Sequence, residues 1–111
     1  MKQGLKLAKY IMLSAALCAF PALAADVGVV QKNQTFSTSA LSVHVGDTVR
    51  FENADTVTHN VTVKGASDDD DADDLGLQKP GVAVTHKFTA PGSYRVICSI
   101  HPRMKMTVNV Q

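Results

Sequence analysis

The chain of 111 residues is poor in cysteine, with only Cys18 and Cys98. Its longest apolar stretch, Tyr10 to Phe20, falls well short of the ~20 residues needed to cross a bilayer, so no membrane-spanning helix is expected. A surplus of basic residues is missing too: 11 Lys and Arg stand against 10 Asp and Glu. Nucleic-acid binding, which rests on clustered positive charge, therefore has no support. No internal repeat is present, and Val- and Thr-rich alternation leaves little room for helical periodicity.

What is there begins with a segment that has the three parts of a secretory signal. Lys2, Lys6 and Lys9 lead into the apolar run, and Pro21-Ala-Leu-Ala-Ala25 follows it. Ala22 and Ala24 satisfy the small-x-small rule for cleavage after Ala24, and cleavage after Ala25 fits nearly as well. Residues 1–25 are read as a signal peptide and 26–111 as a single exported domain, with a periplasmic location. Leu17 is a poor match to the small residue that precedes a lipidated cysteine, so neither a lipid anchor nor membrane insertion after signal removal is expected. Cleavage removes Cys18 and leaves Cys98 as the one thiol, which excludes an internal disulfide. In an oxidising compartment a lone thiol survives best when it is buried or ligates a metal.

Three of the eleven Lys and Arg lie in the signal, so the remainder has eight against ten Asp and Glu, a net charge of −2. Six of those acids sit in Asp68-Asp-Asp-Asp-Ala-Asp-Asp74, and the rest of the domain has a balance of +4. Such a polarised surface suits a solvated loop or a docking patch for a basic partner. The run lacks the ligand spacing and turn glycine of an EF-hand loop.

Period-two alternation predicts an all-β fold. Leu41, Val43 and Val45 lead into a Gly46-Asp47 turn, and Val49 and Phe51 follow, which reads as a hairpin. Val57, His59, Val61 and Val63 share one phase, so His59 falls on the apolar face. Lys64 to Gly81 shows no strand period and is read as a long surface loop. Val82, Val84, His86 and Phe88 form the next phase, then a Pro91-Gly92 turn, a strand from Ser93 to Cys98, and a last one containing Met106, Val108 and Val110. About seven short strands result, most economically arranged as two packed antiparallel sheets, a Greek-key β-sandwich.

Chemistry concentrates in Cys98-Ser-Ile-His-Pro-Arg-Met104. A thiolate, an imidazole and a thioether in one loop suit copper rather than magnesium or calcium, which take oxygen ligands, or zinc, which rarely takes thioether. With His59 the count becomes two histidines, one cysteine and a methionine, the donor set of an electron-transfer copper site. Cys98 and His101 could in principle act as nucleophile and base. No third residue evidently orients the histidine, however, and the domain has little room for a cleft, so no enzyme is expected.

Leu41-Ser-Val-His-Val-Gly-Asp-Thr-Val, Thr58-His59-Asn60-Val61, Pro91-Gly-Ser-Tyr94 and the Cys98 loop together resemble the cupredoxins, blue copper proteins of the plastocyanin, pseudoazurin and amicyanin type. The similarity is greatest to the amicyanins and covers nearly all of residues 26–111. The resemblance implies His59, Cys98, His101 and Met104 as ligands of one copper ion cycling between Cu(I) and Cu(II). It also implies that Asn60 ties the ligand loops together by hydrogen bonds and that the His101 ring edge is the route for electrons. Met106 rivals Met104 as axial ligand, because longer cupredoxin loops place the methionine eight residues after the cysteine. The His-Pro-x-Met context favours Met104, and the phase of Met106 with Val108 and Val110 favours a core role for it. The implied function is one-electron transfer between redox partner proteins, such as a cytochrome c-like protein or a dehydrogenase, by a monomer. The alternative is a carrier or storage module that delivers copper itself. His44 is expected to be solvated and His86 to be partly buried near a sheet edge.

Overall fold

The computed structural model describes residues 23–65 and 72–111, and among these the chain forms nine strands and no helix. They are β1 (Asp26–Lys32), β2 (Thr35–Phe36), β3 (Ala40–Val43), β4 (Thr48–Asn53), β5 (His59–Lys64), β6 (Asp73–Gln78), β7 (Ala83–Lys87), β8 (Gly92–Ile97) and β9 (Lys105–Val110). One sheet has the order β2-β1-β4-β7 and the other β3-β9-β8-β5-β6. The expected all-β sandwich is present, with nine short strands in place of seven.

Alternation builds the core. Val29 of β1, Val49 and Phe51 of β4, Val96 of β8, and Met106, Val108 and Val110 of β9 all point inward and are buried. Each Val or Phe so buried stabilises by about 1.5–3 kcal/mol relative to exposure. Phe36 meets Phe51 edge to face at 6.2 Å, and Phe88 meets Tyr94 at 5.1 Å. The Tyr94 hydroxyl donates to the carbonyl of Ala90 at 2.8 Å, the tyrosine-corner bond of β-sandwiches.

The sheets are mixed, which corrects the expectation of antiparallel ones. β1 runs parallel to β4 and β3 runs parallel to β9, while the other pairs are antiparallel. The hairpin predicted across Gly46-Asp47 does not form, because β3 and β4 belong to different sheets. The turn is real, but it carries the chain from one sheet to the other. Gly46 takes φ +96°, where a side chain is strained. Asp47 accepts from the amides of His44 and Ala25 at 2.8 and 2.9 Å. These bonds hold its carboxyl below the usual range, with the Ala25 amide the larger cause.

The long loop expected from Lys64 to Gly81 is also corrected, since β6 occupies Asp73–Gln78 and pairs with β5. The Asp68 to Asp71 part of the acidic run lies outside the described residues, as does most of the proposed signal. Between Asn60 and Thr62 the β5/β6 register shifts in a bulge, where Gly76 takes φ +92°. Bulges re-aim side chains, and this one turns the Asp74 carboxylate onto Asn60, whose Nδ2 donates to it at 2.7 Å.

His44 is exposed, as expected. His86 is partly buried on β7, an edge strand, with Nδ1 3.4 Å from Asp73 Oδ2 and its ring 4.6 Å from that of Phe88. That too follows the expectation.

Candidate metal centre

Strand phase and register assemble the site. His59 is the first residue of β5 and is fully buried, sharing an inward phase with Val61 and Val63. Val57, read from the sequence as part of that face, precedes the strand and is 37% exposed. Tyr94 and Val96 point inward on β8, and one more step of the same period places Cys98 inside, 1% exposed. Thr62 of β5 lies opposite Ile97 of β8, so the start of β5 meets the end of β8.

His101 returns to the same place through a short loop. That loop is closed by two backbone bonds, from the Met104 amide to the His101 carbonyl at 2.9 Å and from the Cys98 amide to the Met104 carbonyl at 3.1 Å. Met104 ends the loop just before β9 and is 1% exposed. Met106 lies within β9 opposite Val96 and packs in the core with Val108.

Three donor atoms converge. His59 Nδ1 is 3.1 Å from His101 Nδ1, and Cys98 Sγ is 3.6 Å from His101 Nδ1 and 4.0 Å from His59 Nδ1. These separations define a circle of radius about 2.1 Å, close to the roughly 2.0–2.3 Å of metal bonds to imidazole and thiolate. A single ion near the plane of the three atoms therefore reaches all of them. Fit is tested by chemistry as well as distance: two nitrogens and one sulfur, enclosed and without a carboxylate donor, form a trigonal set that suits copper.

Neighbouring hydrogen bonds prepare each donor. The Asn60 amide donates to Cys98 Sγ at 3.2 Å, which ties the sulfur to the start of β5. Asn60 Oδ1 accepts from the amide of Ser99 at 3.2 Å and from the Thr62 hydroxyl at 2.7 Å, while Nδ2 reaches Asp74 and the Gly76 carbonyl. Asn60 thus joins β5, β6 and the Cys98 loop, as the sequence resemblance implies. Asp74 is held below the ordinary carboxylate range, first by the Gly76 amide and then by Asn60.

One residue at the site escaped the sequence reading. His59 Nε2 lies 3.0 Å from Asp55 Oδ2, and the side chain of Asp55 is 12% exposed. Its pKa is pulled down to about 2, chiefly by the Gln34 amide, then by His59, with the Thr56 amide a smaller cause. A carboxylate accepts only, so Nε2 carries a hydrogen, and in the neutral ring this leaves the Nδ1 lone pair facing Cys98 and His101. The signal available in the sequence was an aspartate four residues before the histidine, Asp55-x-x-x-His59, across the bend that precedes β5.

Comparison with known proteins gives an independent view. The sequence profile of the copper-binding proteins of the plastocyanin/azurin family matches residues 23–111. Amicyanin-alpha of Methylorubrum extorquens is 30% identical over 76 residues, which cover 68% of this chain and 64% of that relative, just under two thirds of its length. A Cu(I) form of an amicyanin point mutant superposes with TM-score 0.70 at 30% identity, covering 87% of this chain and 89% of that one. A copper-containing nitrite reductase from Thermus scotoductus matches with TM-score 0.68 at 29% identity, covering 84% of this chain but only 23% of the reductase. The purple cupredoxin of Nitrosopumilus maritimus, at 24% identity and TM-score 0.69, shares the fold.

Proposed function

Because this chain belongs to the plastocyanin/azurin family of copper-binding proteins, we propose that it is a one-electron carrier. His59 Nδ1, Cys98 Sγ and His101 Nδ1 would hold the copper ion, and the buried Met104 would supply a thioether. The observation that carries this reading is the circle of about 2.1 Å through three buried or half-buried donors, the reach of one metal bond from each. Copper bound there supplies exchange between Cu(I) and Cu(II).

The protein's own residues supply the rest. His59 and Cys98 are sealed from solvent, so water does not compete for their donor atoms. His59 opens β5 and Cys98 directly follows β8, and the Cys98 loop is closed by its own backbone bonds. Donors held in this way would shift little between the oxidation states of a bound copper ion, which would keep reorganisation small. His101 is half-buried, between Ile100, which is 46% exposed, and the exposed Pro102 and Arg103. Its ring is the part of the site nearest to a partner, and electrons pass there to and from redox proteins of the cytochrome c or dehydrogenase type. Residues 1–25 direct export and residues 26–111 act as a monomeric domain in the periplasm. The three parts of the signal and the start of the family match near residue 23 support that division.

Adding Cu(II) to the metal-free protein tests the function. The expected result is one equivalent bound, an intense visible charge-transfer band, reversible one-electron reduction, and loss of the band in Cys98→Ser. A colourless complex, or rapid transfer of Cu(I) to an acceptor with slow electron exchange, would overturn it.

A further inference from the structure

Asp55 sits in the bend between β4 and β5, and every polar atom of its side chain is engaged. Oδ2 accepts from the Gln34 amide at 2.8 Å and faces His59 Nε2 at 3.0 Å, while Oδ1 accepts from the Thr56 amide at 3.0 Å. Its own amide donates to Asn53 Oδ1 at 2.9 Å. Asn53 is fully buried, and its Nδ2 donates to the carbonyls of Val57 and Gln78, both at 2.9 Å. The bend is thus tied to β6 as well as to β4.

The turn between β1 and β2 contributes from the other side. Asn33 and Gln34 have φ of 53° and 55°, a left-handed pair built without glycine, which is unfavourable for Gln34 in particular. The Gln34 amide of that turn is the one that meets Asp55 Oδ2. Orienting an imidazole requires only an acceptor, and a backbone carbonyl would serve. This chain places a full negative charge there, directly behind the ring.

We propose that Asp55 is a positioning residue with an electronic consequence: its carboxylate fixes the His59 ring through Nε2 and favours the oxidised, more highly charged metal. A carboxylate behind a ligating histidine raises the basicity of the ring, and a nearby negative charge stabilises Cu(II) more than Cu(I). The electronic part rests on the metal-centre reading above. The positioning part does not.

Two measurements on the full domain test it separately. In the metal-free protein, 15N NMR of the ring should show His59 as the Nε2–H tautomer, and Asp55→Ala should mix the tautomers. In the copper-loaded protein, Asp55→Asn keeps the shape and removes the charge. It should lower the ratio of Cu(II) to Cu(I) affinity at least tenfold, which is a rise in potential of about 59 mV for one electron. A mixed tautomer in the unaltered metal-free protein, or an affinity ratio within twofold of the unaltered value in Asp55→Asn, would overturn the proposal. Should Asp55→Ala not fold, the unaltered tautomer and the Asn variant still decide. Failure to form the charge-transfer band in the unaltered protein would sink the metal-centre reading and with it the electronic part, while the tautomer measurement would still judge the positioning.

Discussion

His59 and His101 bring their Nδ1 atoms within 3.1 Å of each other, yet the chain delivers them by different means. His59 stands on a strand, is fully buried, and is held from behind by Asp55. His101 stands in a loop, is half-buried, and is located indirectly, through the loop's own backbone bonds and the Ser99 amide on Asn60. A second aspartate, Asp74, stands behind Asn60. Each histidine is therefore backed by a carboxylate, one in contact and one at a remove. The difference teaches that one cluster of donors has a fixed, dry side and a reachable side, which would give the proposed electron exchange a direction.

The strongest way to break that comparison is to open each side in turn. His59→Gly and His101→Gly should both abolish the charge-transfer band of the copper-loaded protein. Added imidazole should restore it only in His101→Gly, where solvent reaches the gap. Equal recovery in titrations of the two variants would show that burial does not separate the two sides.

Removing the Asn60 side chain attacks the indirect support. Asn60→Ala leaves the Ser99 amide and the Asp74 carboxylate without this partner and should destabilise the domain by about 1–3 kcal/mol in denaturant unfolding. The His101 side should loosen more than the His59 side, as read by hydrogen exchange of the Ser99 amide.

The two methionines sharpen the comparison from within the loop. If Met104 is the fourth ligand, as proposed, Met104→Leu should change the visible spectrum and potential. Met106→Leu should leave both in place and cost less than about 1.5 kcal/mol, the usual range for such a core exchange. The reverse outcome would move the axial role to Met106.

The smallest effect concerns acid. The Asp55 and Asp74 carboxyls are both depressed by their hydrogen bonds, Asp55 to about 2. A group whose pKa is lower in the folded state contributes stability above its unfolded value, near 3.8 for both, and that contribution is lost as pH falls through the folded value. The thermal midpoint of the metal-free protein should therefore drop below about pH 4, and Asp74→Asn should flatten part of that decline. An unchanged acid profile in Asp74→Asn would remove Asp74 from the support of the His101 side.

Much of the site could be read in the sequence because it depends on local order. His59 followed from period two, and Cys98, His101 and Met104 fall within seven residues whose mutual placement is largely set by one loop. What depended on distant pairing stayed hidden. Gly46-Asp47 signals a turn whether the next strand joins the same sheet or crosses to the other, and nothing local separates the two. β6 was missed because Asp73, Asp74 and Gly76 are poor strand formers, and pairing with β5 overrides that tendency. The parallel contacts of β1 with β4 and of β3 with β9 join strands whose pairing no turn signals. Asp55 is polar and lies in a bend, so it looked like any turn residue until the fold brought His59 back against it.

The separation of His59 from Cys98 along the chain, 39 residues, has a meaning for chain topology. An ion held by both closes a loop that includes β5 through β8. A disulfide across such a span restricts the unfolded chain by about 3–5 kcal/mol, but Cys98 is the only cysteine among the described residues. Copper would then serve as the cross-link that cysteine pairing provides in other small domains, with the difference that a chelator can withdraw it and a donor can return it. Resistance to unfolding and to proteolysis would thus be governed by metal supply rather than by thiol oxidation.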